Sequence, residues 1–264
     1  MKNIIFAIVV FFATGISYTQ ENIQASEIIK VIKAWEDIKY SNKTIIGQLD
    51  FTLMEETIKE KTKKKSSWWN KKNNSYNTIN NNVKVAISFT NYTFKDNVLA
   101  YVADEDSGET FKADFDKDIK FINCKFKSKA MFKYSKFNDD SDFSGATFLG
   151  DTTFKYSKFY KNIDFSHSFF SKIATFKYAI FTTNVNFEST IFESSAIFKY
   201  TKFNDGVSFK DVNFKEDLNI KYMNVSSAFN ISNMKVGYEI DDKYTKINGK
   251  NFSKYLLERN NWVS

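Results

Sequence analysis

A chain of 264 residues that has no proline and only one cysteine, one histidine and one arginine excludes several classes of fold and site. Proline cannot donate to a strand ladder, so its absence is typical of a chain that pairs as strand along much of its length. The single cysteine, Cys124, excludes an internal disulfide framework. The single histidine, His167, leaves no His–Cys metal site and no Ser–His–Asp triad to consider. Because Arg259 is the only arginine, bidentate reading of guanine or phosphate is largely excluded, and we predict no specific nucleic-acid partner.

The motifs of the common enzyme classes are missing as well. The sequence has no G-x-S-x-G turn, no P-loop and no H-E-x-x-H pair, and the acidic stretch at 103–109 does not have the spacing of a calcium loop. Asp139, Asp140, Asp142 and Asp151 are interpreted as solvated surface carboxylates. We therefore predict no catalytic residue, no cofactor and no metal. The alternative is an enzyme whose site lies at an insertion, and it would need convergent acid–base groups in a cleft.

Phenylalanine, by contrast, is abundant, with 29 in the chain, and it follows a strict rhythm over the second half. The steps alternate between five and six residues, so two steps make 11 residues and four make 22. The residues on this rhythm are Phe132, Phe137, Phe143, Phe148, Phe154, Phe159, Phe165, Phe170, Phe176, Phe181, Phe187, Phe192, Phe198, Phe203, Phe209 and Phe214. The same period returns in the letters FKYSKF, FKYSKF, FKYAIF and FKYTKF that start at 132, 154, 176 and 198. The chain therefore contains an internal repeat.

Neither an α-helix nor a continuous strand can use this rhythm. In a helix, five residues turn the chain by about 500°, so successive phenylalanines would point roughly 140° apart. In a strand, the alternation of odd and even steps would send them to opposite faces. A chain that turns a corner about every five residues keeps them all inside, provided that the extra residue of each six-residue step lies at a corner. Four such sides make one coil of 22 residues.

A second position supports an inward direction. Two residues before each of these phenylalanines the side chain is small or apolar, and none is charged. These residues are Ala130, Ser135, Ser141, Ala146, Thr152, Ser157, Ile163, Ser168, Ala174, Ala179, Val185, Thr190, Ala196, Thr201, Val207 and Val212. One large and one small inward residue on each side would fill a narrow interior.

On these residues the sequence resembles the pentapeptide-repeat family, in which a small residue stands two places before a central Leu or Phe, as in Ala174-Thr175-Phe176 and Ala196-Ile197-Phe198. The resemblance covers roughly Thr44 to Val236 and departs from the plainest pattern in its alternating spacing and its use of Phe. It implies an all-β fold, a right-handed four-sided β-helix of about seven coils. Some members of the family inhibit DNA gyrase by imitating DNA with an acidic rod. This chain has a formal net charge of +7, so that role is not expected.

The rest of the chain is assigned around the repeat. Residues 1–19 are typical of a secretory signal peptide, with Lys2, an apolar run and small residues before Gln20. We therefore expect export to the periplasm, the cell surface or the medium, with no transmembrane span in the mature chain. Residues 20–43 are predicted as an N-terminal capping helix from Ser26, as N-cap, to about Tyr40.

The repeat is predicted over 44–236, with loop insertions at about 53–83 and 101–111. Residues 237–264 are predicted to leave it. Within them, a short C-terminal helix is expected to carry apolar residues on one face as a cap, and a homodimer contact is the alternative use of that face. The face comprises Phe252, Tyr255, Leu256 and Leu257.

Two surfaces are candidates for binding. The first is a basic-aromatic loop that contains Lys61, Lys63, Lys64, Lys65, Trp68 and Trp69. The second is formed by outward columns whose members lie 22 residues apart, so they stack: Lys133, Lys155, Lys177, Lys199 and Lys221 beside Tyr134, Tyr156, Tyr178, Tyr200 and Tyr222. Stacking alone would explain the columns.

The function predicted first is a non-enzymatic exported scaffold that offers an interaction surface to an unknown protein. The alternative is a module that binds a glycan or an anionic envelope polymer through one of the two candidate surfaces.

Overall fold

The computed structural model describes residues 21–64 and 77–260, and its short strands stack into four sheets around one interior. Apart from two antiparallel pairs in one sheet, neighbouring strands are parallel, and in the repeat they lie one coil apart in sequence, as in the rungs of Phe137, Phe159 and Phe181. The predicted all-β, four-sided solenoid is confirmed. Two of the four sheets contain eight strands each.

Sheets A and D carry the repeat phenylalanines within their strands. Sheet A consists of Glu21–Gln24, Lys43–Ile46, Thr93–Phe94, Lys125–Phe126, Thr147–Phe148, Phe169–Phe170, Ile191–Phe192, Asn213–Phe214 and Lys235–Val236. Sheet D consists of Thr78–Val83, Thr110–Phe115, Lys136–Phe137, Lys158–Phe159, Ile180–Phe181, Lys202–Phe203, Asn224–Val225, Lys246–Ile247 and the antiparallel Lys250–Asn251, with Tyr101–Ala103 paired beside Thr110–Phe115.

Sheets B and C carry the small inward residues, and each phenylalanine follows directly after the strand. Sheet B consists of Ile38–Ser41, Ile87–Thr90, Ile119–Ile122, Ser141–Asp142, Ile163–Asp164, Val185–Asn186, Val207–Ser208 and Phe229–Asn230. Sheet C consists of Leu49–Asp50, Val98–Leu99, Ala130–Met131, Thr152–Thr153, Ala174–Thr175, Ala196–Ile197, Leu218–Asn219 and Ile240–Asp241. In chain order, the sides of a coil therefore belong to sheets C, D, B and A. The six-residue steps between phenylalanines are those that cross from sheet D to sheet B and from sheet A to sheet C, and the extra residue lies in the corner between these strands.

The interior is a set of stacked phenylalanine columns. All sixteen phenylalanines on the rhythm are 1% exposed or less, and the small residues before them are 4% exposed or less. Phe154 stacks on Phe132 with ring centroids 5.1 Å apart, and Phe176 stacks on Phe154 at 5.2 Å and on Phe198 at 4.8 Å, with ring planes 3–6° from parallel. The inward assignment of both positions is confirmed.

Several of the small inward residues also satisfy a backbone group. Ser168 donates its hydroxyl hydrogen to the carbonyl of Phe143 at 2.8 Å, and Thr201 donates to the carbonyl of Phe176 at 2.9 Å. A buried carbonyl at a corner would otherwise lack a partner for its second lone pair. This explains why serine and threonine alternate with alanine at a position that needs only a small side chain.

The N-terminal prediction is partly wrong. Helix α1 spans Ala25–Lys33, with Gln24 and not Ser26 at the N-cap, and it ends well before Tyr40. Trp35 adopts a left-handed φ of 63°, and its N–H and that of Glu36 bond back to the last turn at 3.1 and 3.2 Å, which is the Schellman ending of a helix. The chain thereby turns into sheet B. In place of the capping helix predicted over 20–43, the described residues 21–41 form a strand, a helix and a strand that begin the coil stack.

The two insertions also differ from the predicted loops. Residues Met54–Lys64 form helix α2, and Thr78–Val83 is a strand of sheet D, so the first insertion ends before residue 78. The second insertion is a β-hairpin in which Tyr101–Ala103 pairs antiparallel with Thr110–Phe115. Its acidic turn is closed by Asp104, which accepts from the N–H of Ser107 at 3.1 Å.

The repeat continues beyond Val236, where it was predicted to end. Ile240 pairs above Leu218 and Ile247 above Val225, so sheets C and D gain another rung. Helix α3 spans Phe252–Asn260, as a short C-terminal helix was expected. Phe252 is buried, but Leu257 is 66% exposed, so the predicted apolar face is wrong for this residue. The last rung could not be recognised from the phenylalanine rhythm, because aliphatic side chains occupy the inward positions there.

The stacked interior makes a direct prediction about stability. Phe176→Ala should lower the free energy of unfolding by ~3–5 kcal/mol, because it removes a buried ring that contacts rings above and below. Ala174→Lys should cost at least as much, since it buries an unpaired charge. Lys177→Ala, one residue after Phe176 on the outside, should change it by less than about 0.5 kcal/mol. Urea melts of the three variants check this; equal effects of Ala174→Lys and Lys177→Ala would contradict the inward and outward assignment.

Candidate functional site: a tyrosine–lysine corner

The corner between sheets C and D carries the same two residues in six successive coils. We call it the Tyr–Lys corner. It consists of Lys133, Lys155, Lys177, Lys199, Lys221 and Lys243, each followed by Tyr134, Tyr156, Tyr178, Tyr200, Tyr222 and Tyr244. The structure therefore brings together all ten predicted residues of the two columns and extends them by one coil, to Lys243 and Tyr244.

Each corner is a tight turn that places its tyrosine in an unusual backbone conformation. In the turn that begins at Phe176, the N–H of Ala179 bonds to the carbonyl of Phe176 at 2.8 Å, and Tyr178 between them has a φ of 61°. The φ of the six tyrosines lies between 58° and 64°. This is the third position of a type II turn, where glycine or asparagine is preferred, and the left-handed region costs other residues ~1–2 kcal/mol.

The opposite corner shows that the fold does not require tyrosine there. Between sheets B and A the same left-handed position recurs with φ from 52° to 65°, and it is occupied by Asn123, Gly145, His167, Ser189, Asp211 and Asn233. These are mostly residues that tolerate positive φ easily. Six tyrosines at one corner and none at the other therefore point to a requirement beyond backbone geometry.

The tyrosine rings stack face to face along the rod. Ring centroids of successive members from Tyr134 to Tyr222 are 4.5–4.7 Å apart and their planes are 2–4° from parallel. Tyr244 extends the stack at 4.8 Å. Because each inner ring has a neighbour on both faces, the column presents ring edges to solvent. Tyr134 is 40% and Tyr244 57% exposed.

In the part of the chain that the structure describes, five of the six corner lysines lie over a tyrosine ring and none forms an ion pair with an acid. Their ammonium nitrogens lie 5.0–5.5 Å from the centroids of the adjacent tyrosine rings for Lys133, Lys155, Lys177 and Lys199. Among the described residues, the ion pairs involve other lysines, such as Lys112 and Lys210. Partial burial and the charges of Lys133 and Lys177 lower the pKa of Lys155. The corner is therefore a line of positive charge without internal compensation.

A second line of lysines runs beside the first on the outer face of sheet D. It contains Lys136, Lys158, Lys202 and Lys246, with Ile180 and Asn224 at the intervening rungs. Sequence reasoning missed these residues, although the same 22-residue spacing would have found them. Near the hairpin, a groove of about 440 Å³ is lined by tyrosines of the corner and lysines of sheet D: Tyr101, Lys112, Tyr134, Lys136, Tyr156 and Lys158 are among its residues.

The groove marks one end of the corner. The Tyr101 ring lies 5.7 Å from Tyr134 and is tilted by 46°, so the parallel stack stops there. Lys133 donates to the hydroxyl of Tyr101 at 3.1 Å. Lys112 is paired with Asp114 at 2.7 Å, and Asp114 also accepts from the N–H of Lys136 at 2.8 Å. The charge of Lys112 is thus compensated, whereas Lys136 and Lys158 are exposed.

The other predicted binding surface is described only in part. Lys61, Lys63 and Lys64 belong to helix α2, whose first turn carries Glu55 and Glu56. The side chains of these three lysines lie outside the described residues, as do Lys65, Trp68 and Trp69 entirely. The basic-aromatic segment therefore stays a prediction.

Groups that could carry chemistry are dispersed or used by the fold. Burial raises the pKa of the Cys124 thiol to about 12. His167 occupies a left-handed corner position. Asp142 accepts from the N–H of Ser144 at 2.8 Å and Asp164 from that of Ser166 at 2.7 Å, so these carboxylates cap turns. In the described ranges, no group of three or more His, Cys, Asp or Glu side chains is placed so that it could bind a metal ion.

A further groove of about 530 Å³ lies beside Trp35 and Asn80–Asn82. Lys84 covers one face of the Trp35 ring at 5.0 Å, and Asn81 donates to the carbonyl of Phe51 at 2.7 Å. Its described lining offers no acid–base pair.

Over residues 21–64 and 77–260, no helix has the length and apolar character needed to cross a membrane.

Comparison with known proteins agrees with the coil geometry. Residues 111–158, 154–201 and 176–222 match the family described as pentapeptide repeats (9 copies). No curated protein and no solved structure matches the chain.

The stacked tyrosines should be energetically coupled to their neighbours. In a double-mutant cycle, Tyr156→Ala and Tyr178→Ala should show an interaction energy of ~0.5–1.5 kcal/mol, because the two rings are in contact. The control pair Tyr156→Ala and Tyr200→Ala, two coils apart, should be additive within about 0.5 kcal/mol. Urea melts give both values. Additivity in both pairs would show that the column contributes no ring–ring stabilisation.

Proposed function

We propose that this chain, which belongs to the pentapeptide-repeat family, is a non-enzymatic exported scaffold whose solenoid holds an extended surface at the cell exterior. Proteins of this family are generally structural, and the fold itself is a repeat scaffold. The function assigned to the chain is to present the Tyr–Lys corner to a partner in the cell envelope.

One observation carries the proposal, namely that six left-handed tyrosines stand at one corner. Stacking recovers part of their backbone cost, but the opposite corner reaches the same geometry with residues such as Asn123 and Gly145. The left-handed tyrosines repeat in successive coils although each one costs conformational free energy. Such a surface is expected where a partner contacts several rungs at the same time. The rigid interior keeps those rungs at fixed spacing.

The second candidate is a glycan- or polyanion-binding module. The uncompensated lysines of the corner favour an anionic partner over a neutral one. A neutral sugar would stack on the face of an aromatic ring, and the faces of Tyr156, Tyr178 and Tyr200 are covered by neighbouring rings. The corner therefore favours an anionic polymer over a neutral glycan. The segment with Trp68 and Trp69 is the alternative contact.

An enzyme remains the candidate from a different class. Catalysis needs convergent acid–base groups in a cleft. The described linings of the grooves beside Trp35 and at the hairpin contain lysine, asparagine, threonine and tyrosine but no carboxylate. A further groove beside helix α2 does contain Asp50, Glu55 and Glu56, although Asp50 already accepts from the N–H of Thr52 at 2.8 Å. Turnover of an envelope component by the purified protein would favour this candidate and contradict the scaffold.

Export is tested first. The chain recovered from the source cells should be found outside the cytoplasm with its N terminus near Gln20, as mass spectrometry of the intact protein would report. A soluble cytosolic protein that retains Met1 would contradict export.

The scaffold role is tested by capture from cell-envelope extracts with immobilised residues 20–264. We expect saturable capture of a partner by the folded protein and none by the heat-unfolded protein. The variant with Lys61, Lys63, Lys64 and Lys65 replaced by Gln should capture as well as the parent. Loss in that variant would move the contact to the basic-aromatic segment, and no capture under any salt condition would contradict the proposed function.

A further inference from the structure

We infer that the Tyr–Lys corner binds a linear polyanion that lies parallel to the rod axis, with one end in the groove at the hairpin. This inference rests on the proposed function, because it names the chemical class of the partner that the same surface would take. It commits to an extended chain of closely spaced anionic groups, and a folded acidic protein is treated as an outcome of the test.

The first step is the shape of the charged surface. The lysines from Lys133 to Lys243 follow one another at the rung spacing, which is 4.5–4.8 Å where the tyrosine rings beside them report it. Lys136, Lys158, Lys202 and Lys246 run parallel to them on sheet D. Two parallel lines of like charge match a ligand that is itself a line of opposite charge, since a compact anion would reach only a few of these groups.

The second step is the absence of internal compensation. Elsewhere on the described rod, some lysines are matched by acids: Lys210 pairs with Glu188 at 2.5 Å and Lys120 with Asp118 at 3.0 Å. None of the corner lysines is paired in this way within the described residues. Lys155 lies between Lys133 and Lys177, and the like charges of these two neighbours repel its own. A polyanion would relieve this repulsion at every rung together.

The third step is the part that tyrosine plays. Face-to-face stacking directs the ring edges outward, so the column forms a ridge and not a platform. The aliphatic stems of the lysines pack beside the rings and their ammonium nitrogens stay 5.0–5.5 Å from the ring centroids. The rings thereby restrict where the charges can go, which lowers the entropy lost when an anion binds.

The fourth step is the end of the line. At the hairpin, the tilt of Tyr101 ends the stack, and the groove of about 440 Å³ lies between the tyrosine column and the lysine line of sheet D. Lys136 and Lys158 are exposed there, while Lys112 is already neutralised by Asp114. The groove can therefore seat the terminal anionic group of a chain, and the hairpin strands limit how far the chain continues.

The test uses the mature chain and two probes, long-chain polyphosphate and polygalacturonate, in titrations at several salt concentrations. We expect at least one polymer to bind and its short oligomer, tripolyphosphate or digalacturonate, to bind far more weakly, because few rungs are then engaged. Binding of one polymer alone identifies the anionic group as phosphate or carboxylate. Binding of neither at low salt overturns the inference.

Two variants of equal charge change locate the site. Replacing Lys155, Lys177 and Lys199 with Gln should weaken binding at least tenfold and reduce the slope of log K against log salt by about 2, since three contacts that release counterions are lost. Replacing Lys161, Lys172 and Lys215, which lie at other corners, with Gln is the control. The control variant should lose little affinity for the polymer, and both variants should have the melting curve of the parent protein. Equal losses in the two variants would assign binding to net charge and overturn the inference.

The outcome is separable from that of the proposed function. If envelope capture succeeds while neither polymer binds, the scaffold stands with a partner of another class, such as an acidic protein, and the inference is overturned. If capture and polymer binding both fail, the proposed function fails with it.

Discussion

Face-to-face stacking of phenylalanine rings, one coil above the next, is the interaction on which the rest of this structure depends. Phe132, Phe154, Phe176 and Phe198 repeat at 4.8–5.2 Å with nearly parallel planes, which is the distance at which parallel backbone strands pair. Ring stacking and strand pairing therefore impose the same rise on the chain, and neither strains the other. The hydroxyl of a residue such as Thr201 then satisfies a corner carbonyl that the narrow interior would leave without a partner.

The same rise is copied onto the surface. Any residue type that recurs every 22 positions becomes a column, so one substitution pattern in the sequence produces a line of chemistry along the rod. At the corner between sheets C and D this gives stacked tyrosine edges and lysines without acidic partners. At the opposite corner the same backbone carries Asn123, Gly145 and Asp211, and no column of one chemistry arises. The contrast between two corners of equal backbone geometry is the basis on which we propose a function for the Tyr–Lys corner.

Much of the fold could be predicted because the inward residues are large and periodic. The phenylalanine rhythm specifies four sides, and the small residues before it, such as Ala174, specify direction. The ends could not be predicted in the same way. Trp35 ends helix α1 through a left-handed backbone that nothing in its side chain signals, and Ile240 and Ile247 continue the rungs with aliphatic groups. For the site, spacing predicted the columns, but only the ring planes of residues such as Tyr178 show that edges face the solvent.

The central claim is that register, set by 22 residues, controls both the interior and the surface. Deleting residues 174–195 removes one whole coil and joins Ile173 to Ala196, so every ring and corner below and above stays in line. Deleting only residues 174–178 removes one side of a coil. Each later type II turn would then lie above a three-residue corner, which has a different backbone conformation. Circular dichroism and urea melts of the two deletions test the claim. We expect a cooperative β-structured protein for the longer deletion and loss of cooperative unfolding for the shorter one. A folded short deletion beside an unfolded long one would contradict this role of the register.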